Sequence, residues 1–120
     1  MKTILIAADF QTSRKVIVNA LERNGYKTLE AADGSEALDY FDGRTIDLLV
    51  TDFNMPNMNG AQLVTEVRKK RQYQYIPVLL LSTEVNQNKK EQANEAKITA
   101  WIPKPFDIQQ FIKLVEKSLK

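Results

Sequence analysis

Leu48-Leu49-Val50-Thr51-Asp52, running into Phe53-Asn54-Met55-Pro56-Asn57-Met58-Asn59-Gly60, carries most of the architecture of this chain. The apolar run reads as a short buried strand that ends at Thr51 and Asp52, and helical spacing resumes only after a segment dense in turn formers. A buried strand therefore delivers a carboxylate to the mouth of a loop. Asparagine and glycine tolerate positive φ, and proline fixes φ and lacks an N–H, so the segment after Asp52 is a shaped loop able to present backbone groups to a ligand. Taken alone, Asp52 is more simply read as a cap on a strand-to-helix turn.

The rest of the chain sets the frame for that loop. At 120 residues it has the size of one domain, expected to span 1–120, and can bury a core without staples. Hydrophobic residues make up 43% and charged residues 27%, an ordinary globular balance with no repeat or low-complexity run. Without cysteine there is no disulfide framework and no thiolate metal site, in keeping with a reducing cytoplasm. The apolar runs fall far short of the ~20 residues of a membrane helix, so a cytosolic protein is expected, with no membrane association. The net charge of +2 is too small to argue for direct nucleic-acid binding. Lys69-Lys70-Arg71 and Lys89-Lys90 read as solvated helix faces.

Ile4 to Ala8 is a nearly unbroken apolar run ending at Asp9, as in a central strand of a parallel sheet covered on both faces. Val16, Ile17, Ala20 and Leu21 recur at helical spacing between Thr12 and Arg23, and Asn24-Gly25 provides the stop. Lys27 to Ala31 alternates like an edge strand, and Asp33-Gly34-Ser35-Glu36 offers a helix cap before Ala37, Leu38 and Phe41. The third strand spans Asp47 to Thr51. Asn59-Gly60-Ala61-Gln62 is a capping-box pattern for a third helix, with Leu63, Val64 and Val67 inward, fading near Arg71. A second continuous apolar run, Ile76 to Leu81, ends at Ser82-Thr83. The helix from Gln87 to Ala96 has little beyond Ala93 and Ala96 to bury and is expected to be the most weakly held and mobile. Ala100-Trp101-Ile102, with Pro103 after it, is an edge strand, and Asp107 caps a last helix with Ile108, Phe111, Ile112, Val115 and Leu119 on one face.

Strict alternation of strands and helices implies right-handed βαβ crossovers, hence an α/β, doubly wound, five-stranded parallel sheet. Continuous strands in the middle and limited strands at the edges favour the order 2-1-3-4-5, an order already known for flavodoxin-like folds. The site then lies beyond the carboxyl ends of strands one and three. Asp9, Asp52, Ser82 and Lys104 each follow a different strand, so one cleft could hold all of them. Two carboxylates ~4 Å apart repel by about 4 kcal/mol at an effective dielectric near 20, which calls for a cation between them. An oxygen-only set selects a hard ion, Mg²⁺ first among them. A lysine and a hydroxyl suit phosphoryl oxygens, and a carboxylate attacking phosphorus becomes chemically sensible. Each residue also has a plain alternative: Asp9 a loop cap, Ser82 a strand-end hydroxyl, Lys104 a solvated charge.

Asp9-Phe10, Asp52 with Asn54-Met55-Pro56-Asn57-Met58-Asn59-Gly60, Ser82 and Lys104-Pro105-Phe106 together resemble the receiver domain of bacterial two-component response regulators, most closely the stand-alone chemotaxis CheY type. The resemblance spans essentially the whole chain. It implies a phosphorelay switch rather than an enzyme with external turnover. Asp52 accepts a phosphoryl group from a histidine kinase or phosphotransfer protein. Asp9, Asp52 and the Asn54 carbonyl bind Mg²⁺, Ser82 hydrogen-bonds the phosphoryl group and Lys104 pairs with it. It further implies a cis Lys104-Pro105 bond, Trp101 at the aromatic switch position, and Asn54 and Glu84 as residues that tune dephosphorylation. The face of the fourth helix, fifth strand and fifth helix, with lysines such as Lys90 and Lys113, would bind a downstream protein, the chain being monomeric with dimerisation open to its active state.

Three departures accompany the match. Ala8 replaces the first of the usual acidic pair, predicting weaker Mg²⁺ binding; Thr83 fills a position usually small; Lys97-Ile98 replaces the usual Gly-Ala. Ala8 and Thr83 keep open a pseudo-receiver, an interaction module not regulated by phosphorylation. Against a Mg²⁺-dependent phosphohydrolase, no second aspartate after Asp52 is placed as its acid-base partner and no cap domain is seen; against a flavin or nucleotide binder, no Gly-rich phosphate loop follows the first strand.

Overall fold

A computed structural model describes residues 1–83 and 87–120. The chain runs β1 (Thr3–Ala7), α1 (Gln11–Arg23), β2 (Lys27–Ala31), α2 (Gly34–Asp39), β3 (Leu48–Asp52), α3 (Gly60–Arg68), β4 (Val78–Ser82), α4 (Gln87–Glu95), β5 (Ala100–Pro103) and α5 (Ile108–Ser118), with a 3-10 turn at Arg71–Tyr73. All neighbouring strands pair in parallel in the order β2-β1-β3-β4-β5, as the sequence predicts.

Alternation along the strands divides the core between the two faces of the sheet. Ile4 and Ile6, Leu48 and Val50, Leu79 and Leu81, and Ile102 pack with Ile17, Val18 and Leu21 of α1 and Phe111, Ile112 and Val115 of α5. Leu5, Ala7, Leu49 and Val78 face the other way onto Ala37 of α2 and Leu63, Val64 and Val67 of α3. Both faces being covered, β1, β3 and β4 are apolar almost throughout, and only two-sided burial makes such runs stable in water. A smaller cluster of Phe53, Ala61, Leu80 and Ala93 lies under α4.

Register places the chemistry. Ala7 lies opposite Thr51, Asp52 opposite Leu81, and Ser82 opposite Pro103, so strands β1, β3, β4 and β5 end together at one edge. The caps behave as their residues dictate: Asp33 accepts from the Glu36 N–H, Asn59 and Gln62 close a reciprocal box, and Asp107 accepts from Gln109 and Gln110.

Several expectations shift. β3 starts at Leu48 and includes Asp52, because Asp47 is used as a cap, its Oδ2 accepting the Thr3 N–H at 2.8 Å. α3 stops at Arg68 rather than near Arg71, and the chain tightens into the 3-10 turn whose Tyr73 hydroxyl donates to the Arg44 carbonyl at 2.6 Å. On α1, Val16 is 57% exposed and Val18 is buried instead. The two flank the Ile17-Ala20-Leu21 stripe on opposite sides at 100° per residue, and the neighbouring elements decide which is covered. Lys70 is not merely solvated, since its Nζ donates to the Phe41 carbonyl at 2.9 Å. Lys97 adopts φ 64°, a left-handed conformation that costs a non-glycine residue roughly 1 kcal/mol, and Arg68 caps its carbonyl at 2.9 Å.

Candidate functional site

Asp52 is the last residue of β3 and is only 5% exposed, because neighbouring strands flank it and α3 starts directly over it. Phe53 donates its N–H to the Leu81 carbonyl at 2.8 Å, and Gly60 returns to donate to the Phe53 carbonyl at 2.7 Å, closing the loop between them. That return demands glycine. A Cβ at Gly60 would collide with the Asp52 carbonyl oxygen and lie 2.7 Å from Leu80 Cδ1. Asn57, at φ 70°, takes the left-handed turn that asparagine tolerates, and its amide donates to Asp33 at 3.3 Å.

The other strand ends supply the remaining groups. Asp9 follows β1 and is exposed, while Ala8 beside it is buried. Ser82 ends β4 at 3% exposure. Lys104 follows β5, donates its backbone N–H to the Ser82 carbonyl at 2.8 Å, and precedes a cis bond to Pro105, as the resemblance implies. Its Nζ lies 2.6 Å from Asp52 Oδ1. That oxygen is buried and takes no conventionally aligned hydrogen bond, so the ammonium meets it as an ion pair.

A cleft of about 210 Å³ is lined by Asp9, Asp52, Asn54, Ser82, Thr83 and Lys104, so the residues singled out at separate strand ends share one space. Trp101 does not line it. The indole packs 5.8 Å from the ring of Phe53, the residue after Asp52, and its Nε1 is buried with no hydrogen-bond partner. Glu84 lies outside the described residues.

Burial raises the Asp52 pKa above its ordinary 3.8; Lys104 opposes this through its close contact and charge, and the Asp9 carboxylate adds to the rise. An anion held in a desolvated place between one cation and one like charge is poised to gain a cation. No group of three or more His, Cys, Asp or Glu side chains able to share a metal exists among the described residues. The donor set is two carboxylates with a backbone carbonyl, which suits a hard ion that keeps several waters.

Sequence reasoning missed two residues here. Lys89, read as a solvated face, extends its Nζ to Asn54 Oδ1 at 3.3 Å and lies 5.2 Å from the centre of the Phe53 ring. Arg14 on α1 donates to the Ala8 carbonyl at 2.6 Å. Neither has a spacing signal: Lys89 and Asn54 lie 35 residues apart, and Arg14 reaches back six residues over the β1–α1 loop, a separation that no helical or strand period marks.

A model of the response regulator receiver domain matches residues 4–116. The chain is 37% identical over 115 residues to the chemotaxis protein CheY of Pseudomonas aeruginosa, covering 95% of this chain and 93% of that one. Over 118 residues it is 38% identical to CheY1 of Helicobacter pylori, covering 97% and 95%. Among solved structures, CheY4 of Vibrio cholerae superposes with a TM-score of 0.93 at 34% identity over 99% of both chains. The receiver domain of a Pseudomonas aeruginosa sensor histidine kinase, with magnesium in its active site cleft, shares the fold at TM-score 0.90 and 22% identity, covering 98% and 97%. With the strand order, the cleft and a family match over nearly its whole length, this chain belongs to the response regulator receiver domain family and is of the CheY type.

Proposed function

We propose that this chain is a phosphorylation switch in which Asp52 takes a phosphoryl group from a phosphohistidine. The ion pair between Lys104 Nζ and Asp52 Oδ1 at 2.6 Å, in a cleft shared with Asp9, carries this reading, because it puts an attacking carboxylate, a charge-neutralising lysine and a second carboxylate in one small space. In the reaction an Asp52 oxygen forms a bond to phosphorus as the donor's nitrogen–phosphorus bond breaks, and the imidazole leaves with its electron pair. Lys104 passes from the free carboxylate to a phosphoryl oxygen, and the Ser82 hydroxyl donates to another. Asp9, Asp52 and the Asn54 carbonyl are the residues that would hold Mg²⁺, which when bound neutralises charge developing on the transferred group. The chain has no histidine, so the phosphoryl group comes from another protein, a sensor histidine kinase or phosphotransfer protein. An apolar cavity of about 420 Å³, lined by Ala8, Val16, Ile17, Pro105 and Phe106 and open to Asp52, suits the approach of such a donor.

The output is docking in the cytosol, with no turnover of an external substrate. A change at Ser82 and at Trp101, whose ring touches that of Phe53, alters the face of α4, β5 and α5 that a downstream protein reads. Asn54 and Glu84 set the lifetime of the phosphoryl group.

The test is intact mass after incubation with a small phosphodonor, with and without Mg²⁺. A single Mg²⁺-dependent phosphoryl adduct, absent in Asp52→Asn, is the expected result. A second reading, the pseudo-receiver, is favoured by Ala8 and by Thr83, which lines the cleft. No adduct, together with no change in Trp101 fluorescence on adding beryllofluoride, would establish it and overturn the first.

A further inference from the structure

Arg14 lies in the first turn of α1, and its side chain is only 13% exposed, deep for a guanidinium. One nitrogen donates to the Ala8 carbonyl at 2.6 Å while Nε donates to Glu30 Oε1 at 3.0 Å. Lys15 holds the other oxygen of Glu30 at 2.8 Å, and the two cations keep that carboxyl below its ordinary range. The opposite side of the same residue is also tied, since the Ala8 N–H donates to the Ala31 carbonyl at 3.0 Å. The Arg14 backbone N–H in turn donates to the Phe10 carbonyl at 3.0 Å, so the segment carrying Asp9 is enclosed by β2 and the start of α1.

The Ala8 side chain is a methyl group and cannot orient this loop through a polar contact, whereas its carbonyl belongs to the very peptide that leads into Asp9. A planar peptide held at its oxygen fixes the position from which the next side chain departs. We infer that Arg14 is a positioning residue for the metal site, its guanidinium, braced by Glu30, setting the direction in which Asp9 presents its carboxylate. This rests on the proposed role of Asp9 as a Mg²⁺ ligand. The fork geometry matters, because one planar group serves a carbonyl and a carboxylate at once, which an ammonium cannot do in the same way.

Charge and position predict opposite signs, and Lys15 provides the control. Arg14→Met and Lys15→Met each remove one positive charge from Glu30, but of the two side chains only Arg14 reaches Ala8. Charge alone would make Mg²⁺ bind as well or better in both variants. The experiment is calorimetric Mg²⁺ titration of the unphosphorylated full chain, well below the melting temperature of each variant. Arg14→Met should weaken Mg²⁺ about tenfold, the lower end of what loss of a ligand's supporting contact costs. Lys15→Met should match wild type or bind more tightly. Equal affinities in the two variants would overturn the inference. Should Arg14→Met fail to fold, Arg14→Lys retains the charge and loses the fork; a several-fold weakening supports the assignment and an unchanged affinity refutes it. Wild-type protein that takes up no Mg²⁺ removes the ligand role of Asp9 and the inference with it, whereas normal wild-type binding with an unmoved Arg14→Met removes the inference alone.

Discussion

Replacing Gly60 by alanine tests how tightly Asp52 is held from behind. Gly60 is the first residue of α3 and lies where the helix passes over the end of β3. Its backbone is open to any residue, so the demand for glycine is steric. An added Cβ would overlap the Asp52 carbonyl oxygen, lie 2.7 Å from Leu80 Cδ1 and 3.1 Å from Phe53 Cα, against ordinary contacts of 3.4–4 Å. Two of these are backbone atoms of a strand end fixed by its neighbours, which puts the cost near the upper end of the roughly 1–3 kcal/mol typical of overpacking. At the first position of a helix alanine recovers less than the roughly 0.5–1 kcal/mol it gains in a helix interior, leaving a net loss of about 2 kcal/mol. At roughly 2.1 cal/mol/K per residue, this chain unfolds with an entropy of about 250 cal/mol/K, so the melting temperature should fall by about 8 °C. Thermal denaturation by circular dichroism measures this. Gly25→Ala is the contrasting variant, because Gly25 has open space but φ 88°, so its cost is conformational, about 1 kcal/mol. The shift at Gly60 should also displace Asp52 and slow phosphorylation, an effect Gly25→Ala lacks. A Gly60→Ala protein melting within ~2 °C of wild type would show that α3 yields without strain and refute the reasoning.

Ala8→Asp adds a carboxylate beside Asp9 and should tighten Mg²⁺ binding; an unchanged dissociation constant in a calorimetric titration would contradict the expectation that Ala8 weakens it. Lys97→Gly relieves a left-handed φ of 64° and should raise stability by up to about 1 kcal/mol, read as a urea midpoint moved upward. Glu30 is held below its ordinary 4.5 chiefly by Lys15, with Arg14 assisting, so it stabilises the fold above that value and the contribution is lost as pH falls through the lowered one. Glu30→Gln should therefore narrow the stability difference between neutral and acid pH, and identical profiles would exclude the pair as a contributor. Asp52 shifts the opposite way: burial raises its pKa above 3.8, so its ionised form costs stability at neutral pH and the cost disappears as pH falls through the raised value towards 3.8. Asp52→Asn should be the more stable protein at pH 7 with the gap closing in acid, and a mutant less stable at pH 7 would contradict that sign.

What the sequence by itself determined is the local grammar. Continuous apolar runs at Ile4 and at Ile76 marked strands covered on both faces, the second beginning at Val78 in the structure; Asn59 with Gln62 and Asp107 marked helix starts; alternation of strand and helix forced a parallel sheet with the carboxyl ends together. Asp9, Asp52, Ser82 and Lys104 were legible as a group for that reason, since topology alone brings residues that follow parallel strands to one edge. Tertiary structure decided whatever depends on which surfaces meet. Val16 and Val18 are equivalent by helical period, and only the covering elements bury the second and leave the first beside the cavity that opens onto Asp52. Lys70, Lys89 and Arg14 look alike in the sequence as solvated charges, yet each reaches a particular group: the Phe41 carbonyl, the Asn54 amide oxygen and Glu30 of the neighbouring strand, all distant along the chain, with Arg14 also reaching back over the loop that carries Asp9 to the Ala8 carbonyl. A long flexible side chain carries no periodic signature of its partner, because its free energy is set by the desolvated acceptor that the fold places within its reach.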